Sequence, residues 1–79
     1  MRPRGEREGP AIEIAIRGPV ALGSFLKLAG AAHSGGEAKT LIQAGLVLVN
    51  GAPETRRAHT VRSGDAVEVR GRRYLVTQV

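Results

Sequence analysis

The apolar positions change period along the chain, and each change marks an element. From Ala11 to Arg17, Ile12, Ile14 and Ile16 alternate with Glu13, Ala15 and Arg17, the period of two of a half-buried strand. Gly18-Pro19 breaks it. Leu22, Phe25, Leu26 and Ala29 then recur at i, i+3, i+4 and i+7 and stop at Gly30, which predicts a short helix with Lys27 turned outward. Ala21 occupies its cap position, where Ser, Thr, Asp or Asn would be worth about 1 kcal/mol, so tertiary packing must hold this end. After the tight turn Ala31-Ala32-His33, Ser34 and Glu37 have the spacing of a capping box. In that motif the serine oxygen accepts from a first-turn amide and the glutamate reaches back to the serine N–H. The second helix carries one apolar stripe, Ala38, Leu41 and Ile42, and Gly45 ends it as a left-handed cap.

The remainder reads as strands. Leu46 to Val49 is an apolar, partly β-branched run stopped by Asn50-Gly51, a dipeptide suited to the positive φ angles of a tight hairpin. Ala52 to Arg57 reads as its returning strand, and Thr60-Val61-Arg62 leads into the turn cluster Ser63-Gly64-Asp65. Ala66 to Arg70 alternates, Gly71-Arg72 turns the chain, and Arg73 to Val79 forms a last strand with Tyr74, Val76 and Thr77. The order β-α-α-β-β-β-β defines an α+β domain, two short helices packed on a small, mostly antiparallel sheet. Residues 1–10, with three arginines, two glutamates, two prolines and two glycines, are expected to be a disordered basic leader to a single domain over residues 11–79.

Composition narrows the chemistry. The 79 residues include no cysteine, so neither a disulfide framework nor a thiolate is available. His33 and His59 lack the ligand spacing of a metal site, and Asp65 is a turn residue without a second carboxylate or nucleophile. No catalytic centre, metal or cofactor is expected. The chain lacks an apolar run long enough to cross a bilayer and is expected to be cytoplasmic. Twelve Lys and Arg against seven Asp and Glu give a net charge of +5 and an isoelectric point near 11.1, which favours a polyanionic partner. Ten of the twelve are arginine, suited to bidentate phosphate contacts, although a GC-rich genome produces the same bias.

The helix pair, Ser34, Ala38, Leu41-Ile42, Gly45, Val47, Val49-Asn50-Gly51 and Gly64-Asp65 resemble the S-four-like RNA-binding domain. This is the alpha-L motif, named after small-subunit ribosomal protein four. Leu22 to Gly30, Ser34 to Lys39 and Glu54-Thr55-Arg56-Arg57 look most like its stand-alone YaaA/YbcJ-type subgroup. Two departures stand out: Ala21-Leu22-Gly23 replaces a frequent Arg-Leu-Asp, and Gly35 replaces a frequent arginine after the cap serine. The resemblance implies a non-catalytic protein that binds structured ribosomal or transfer RNA through the helix pair and the following hairpin. On matching positions that surface is Lys27, Ser34, Gly35, Gly36, Lys39, Thr40, Gln43, Asn50, Arg56 and Arg57.

Physical reasoning agrees in part. Lys39 and Gln43 lie one turn apart on an outward face, and Arg56-Arg57 is the densest charge on any predicted hairpin. Gly35-Gly36 reads two ways, as a phosphate seat at a helix N-terminus or as simple capping with Glu37 competing for the amides. Arg62, Arg70, Arg72 and Arg73 are expected across the sheet from the helices. With Phe25 and Tyr74 the sole aromatics, a base-stacking sheet is not indicated. The implied partner is RNA, with a ribosomal subunit as a further candidate, and the chain is expected to act as a monomer without a membrane or small-molecule substrate. Alternative readings are a targeting module for an RNA-modifying enzyme and a protein adaptor on a ribosomal subunit.

Overall fold

In the computed structural model, which describes residues 11–79, the two helical stripes and the inward faces of the strands close on one core. The elements are β1 (Ile12–Ile16), β2 (Val20–Ala21), α1 (Leu22–Leu28), α2 (Gly35–Gln43), β3 (Val47–Val49), β4 (Ala52–Pro53), β5 (Thr60–Val61), β6 (Ala66–Val69) and β7 (Arg72–Gln78). The leader at residues 1–10 lies outside the described residues. Five strands form a sheet in the order β1-β7-β6-β3-β4, and β2 with β5 makes a separate two-stranded ribbon. All pairs are antiparallel except β1 with β7, where Ile12 lies opposite Tyr74 and Ile16 opposite Gln78.

The expected class, two helices on a mostly antiparallel sheet, is the one observed, with corrections to the element list. β2 was not foreseen, because two residues are too few to show a period. The expected strand over Ala52 to Arg57 stops at Pro53. Proline has no N–H to donate, and the Glu54 carboxylate then draws the Arg56 backbone N–H into a loop at 3.0 Å. The last hairpin turns one residue earlier than expected. Arg70 and Gly71 take φ of +55° and +76°, with Val69 paired to Arg72, the two-residue geometry that Asn50 (+53°) and Gly51 (+88°) adopt between β3 and β4.

Both helices end in the same way. Gly30 and Gly45 have φ near +77° and +78°. In the first, the Gly30 and Ala31 amides donate back to the Lys27 and Leu26 carbonyls, and in the second, Gly45 and Leu46 donate to Ile42 and Leu41. This is the Schellman arrangement, which satisfies otherwise orphaned carbonyls and turns the chain sharply. The tight stop of α1 leaves α2 free to pack beside it. Leu22, Phe25, Leu26, Ala38 and Ile42 are fully buried against Val47, Val61, Val67, Tyr74 and Val76. Phe25 meets Tyr74 edge-on, with ring centroids 6.4 Å apart at 83°, a favoured aromatic geometry.

Because Phe25 joins the helix layer to the sheet through this contact, Phe25→Ala is expected to cost about 3–5 kcal/mol. That is comparable to the whole stability of so small a domain. A urea melt followed by far-ultraviolet circular dichroism reads the loss.

Candidate nucleic-acid interface

The start of α1 is held as its sequence demands, by tertiary contact. Ala21 supplies no side-chain cap. Instead the Leu22 and Gly23 amides donate to the backbone carbonyls of His59 (2.7 Å) and Arg57 (3.1 Å), so the loop after β4 serves as the cap. A Cβ on Gly23 would lie 2.6 Å from Arg57 Cγ, so only glycine lets the arginine stem lie against the helix. Arg57 is thereby brought to Lys27 and Gly35, and the three line one groove with Ser24 and Ala58. Lys27, Gly35, Lys39, Gln43 and Arg57 are all exposed. Gly35, Lys39 and Gln43 succeed one another at i, i+4 and i+8 and extend the groove along one stripe of α2.

The first turn of α2 is capped as expected on one side: Ser34 Oγ accepts from the Glu37 amide at 3.1 Å. The reciprocal bond differs. Glu37 Oε1 accepts from the His33 N–H at 2.6 Å, not from Ser34, while Oε2 accepts from Arg70 Nη2 at 2.9 Å. These two donors, His33 first, hold the Glu37 carboxyl below the ordinary carboxylate range. Arg70 is therefore on the helix side of the molecule, against the expectation that placed it across the sheet. Its left-handed backbone conformation at the hairpin tip breaks the strand alternation there, and Arg72, expected across the sheet as well, also faces the helical turn, opposite buried Val69.

Arg56 and Arg57, neighbours in sequence, have different surroundings. Arg56 Nε and Nη2 donate to Glu54 at 3.0 and 3.3 Å, and its backbone N–H donates to the same carboxylate. These bonds depress the Glu54 carboxyl to about 2 and raise the Arg56 guanidinium above its ordinary value. His59 Nδ1 approaches Glu54 at 3.2 Å. Among the described residues Arg57 has no carboxylate partner. Arg56 nonetheless lines a second groove with Ala58, Thr60 and Arg62, which adjoins the first through Ala58. Arg62 was not among the expected site residues; isolated in the sequence, it joins Arg56 only through the fold.

Asn50, exposed at its turn, is engaged by other parts of the chain. Its Oδ1 accepts from the Ala66 N–H at 2.9 Å and its Nδ2 donates to Asp65 Oδ1 at 3.0 Å, while Asp65 Oδ2 accepts from the Arg62 N–H. The two turns are thus braced against each other. Thr40 on α2 and Ser34 at its N-cap are exposed, with the Ser34 oxygen engaged in the cap. A Cβ at Gly35 would meet nothing within 4 Å, so internal packing does not demand glycine there. Among the described residues no group of three His, Cys, Asp or Glu side chains is placed to hold a metal, and no helix is long and apolar enough to cross a membrane.

Two short helices joined by a tight turn, with a hairpin loop returning to cap the first, define an α+β domain of the alpha-L type. The chain belongs to the S4 domain family, whose sequence model matches residues 12–77. It is similar to a Bacillus subtilis (strain 168) protein named "Probable ribosome maturation protein RlbA", 46% identical over 52 residues that make up 66% of this chain and 73% of the relative. The solution structure of YbcJ from Escherichia coli, described as containing an alfaL motif involved in RNA-binding, superposes with a TM-score of 0.61. It is 30% identical, over 98% of this chain and 95% of that one.

Two outcomes are expected from this geometry. Gly23→Ala should displace the Arg57 stem from α1 and cost about 1–3 kcal/mol, measurable in a urea melt. The depressed Glu54 carboxyl should support the loop fully above its ordinary value of 4.5 and lose that contribution as pH falls through about 2. A side-chain carboxyl NMR titration should place its midpoint near 2, rising toward 4.5 in Arg56→Ala.

Proposed function

We propose that this protein is a non-catalytic binder of structured RNA that works in the cytoplasm in ribosome maturation, with ribosomal RNA as its target. The observation that carries the reading is the convergence of Lys27, Arg57 and Gly35 on one open groove, continued along α2 by Lys39. Membership of the S4 domain family supports it, as do the RNA-binding description of YbcJ and the ribosome-maturation name of the Bacillus relative. Folded RNA presents phosphates and 2′-hydroxyls at spacings set by its helical form. Cations held at fixed separations by helices and a capped loop match such a target by shape. With no exposed aromatic platform among the described residues, phosphate contacts provide the affinity.

On this reading each side of the groove has a role. Lys27 and Arg57 contact neighbouring phosphates, the exposed start of α2 at Gly35 lets the backbone approach the RNA closely, and Lys39 and Gln43 follow the strand along the helix. Arg56, its charge offset by Glu54, orients the loop and joins Arg62 at the margin. Four phosphate contacts, from Lys27, Lys39, Arg57 and Arg62, predict a log-log dependence of affinity on salt with a slope of about −3.

Ultraviolet crosslinking in cells, followed by sequencing of the bound RNA, should enrich one region of ribosomal RNA. A folded Lys27→Glu/Arg57→Glu variant should lose that enrichment. Equal crosslinking by the variant, or an affinity insensitive to salt, would remove the groove from consideration.

A further inference from the structure

A second cationic cleft, which shares no lining residue with the Lys27 groove, lies between the turn that joins the helices and the hairpin that joins β6 to β7. Its volume is about 380 Å³, with His33 on one wall, Arg70 and Arg72 on the other, and buried Val69 and Tyr74 beneath. Gly30 and Ala31 form the rest of the helical wall, so no bulky side chain closes it. One carboxylate braces both walls, since Glu37 accepts from the His33 backbone through Oε1 and from the Arg70 guanidinium through Oε2.

The charge balance of this cleft is positive. Glu37 offsets Arg70, but Arg72 is exposed at the first position of β7 and has no carboxylate partner among the described residues. Arg73, one residue on, leans toward Glu68 on the other face of the strand at 3.6 Å. Arg70 sits in the left-handed region at φ +55°, which glycine or asparagine would occupy with less strain. That conformation is what carries its side chain to the helices instead of away from them. The cleft is open and polar-walled, suited to a phosphate and its sugar.

We propose that this cleft receives a phosphate of the bound RNA, with Arg72 as the contacting cation and the Arg70–Glu37 pair as the latch that fixes the hairpin against the helical turn. The proposal rests on the RNA-binding reading above and extends the footprint from the capped loop, across the helix pair, to the last hairpin. The two linings meet at the turn that joins the helices, with Lys27 three residues before Gly30 and Gly35 two after His33, so one nucleic-acid strand can follow both.

The test is a filter-binding titration of deproteinised bulk ribosomal RNA at several salt concentrations, using the full chain and variants shown to be folded by urea melts. Arg72→Ala should bind roughly three- to tenfold more weakly, with a salt slope shallower by about 0.7–0.9. Arg72→Lys, which keeps the charge, should retain the wild-type slope. If Arg72→Ala matches the wild type in affinity and slope while Lys27→Glu weakens binding, the cleft is not an RNA contact and the first groove stands alone. If the wild type itself fails to bind this RNA, both readings fall together.

Discussion

The contact on which the surface depends is the capping of α1 by the carbonyls of Arg57 and His59. A helix begins with four amides that lack intrahelical partners, and Ala21 offers no side-chain oxygen to any of them. Satisfying the Leu22 and Gly23 amides with backbone from a loop more than thirty residues distant joins two tasks in one contact. The helix gains its start, and the loop that carries Arg57 gains a fixed position beside Lys27. Gly23 completes the arrangement, because any larger residue would occupy the space of the Arg57 stem.

What could be read from the sequence was local. The Ser34 cap, the apolar stripes of both helices, the Gly30 and Gly45 stops and the Asn50-Gly51 turn each depend on residues within one turn of one another, and each is found where its spacing placed it. What escaped was long-range or arose from competition for partners. The parallel pairing of β1 with β7 joins residues some sixty positions apart, and no periodicity encodes it. Glu37 had the spacing to reach Ser34 but bonds to His33, with Arg70 arriving from β6–β7 to claim its second oxygen. Arg56 counted as half of the densest charge on the hairpin, yet Glu54, two positions before it, offsets that charge. The presence of the partner was legible; which donor it would choose was not.

Pairing therefore redraws the charge map implied by a net +5. Arg56, Arg70 and Arg73 each face a carboxylate, whereas Lys27, Lys39, Arg57, Arg62 and Arg72 have none among the described residues. Exposed ion pairs contribute little to stability. Their effect here is on direction: each fixes a loop or a strand end and so sets where the neighbouring unpaired cation stands. Glu54 holds the loop beside Arg57, and Glu37 holds the hairpin beside Arg72. Acidic residues, which a simple count sets against anion binding, act in this fold as the supports of its cationic surface.

A rigid spacing of cations also suits what the chain lacks. Its two aromatic side chains, Phe25 and Tyr74, are both committed to the core, so bases cannot stack on them, and among the described residues no helix presents a row of base-reading side chains. On the proposed reading, discrimination by such a surface comes from distance: whether the phosphates of a folded RNA stand where the unpaired lysines and arginines stand. That requires loops that do not wander, and the means are visible throughout, in the carbonyl cap of α1, the Asn50–Asp65 brace and the Glu37–Arg70 latch. Each of these contacts joins segments far apart in sequence on a domain whose core alone is modest. The same contacts that order the loops therefore set the separations by which its partner would be recognised.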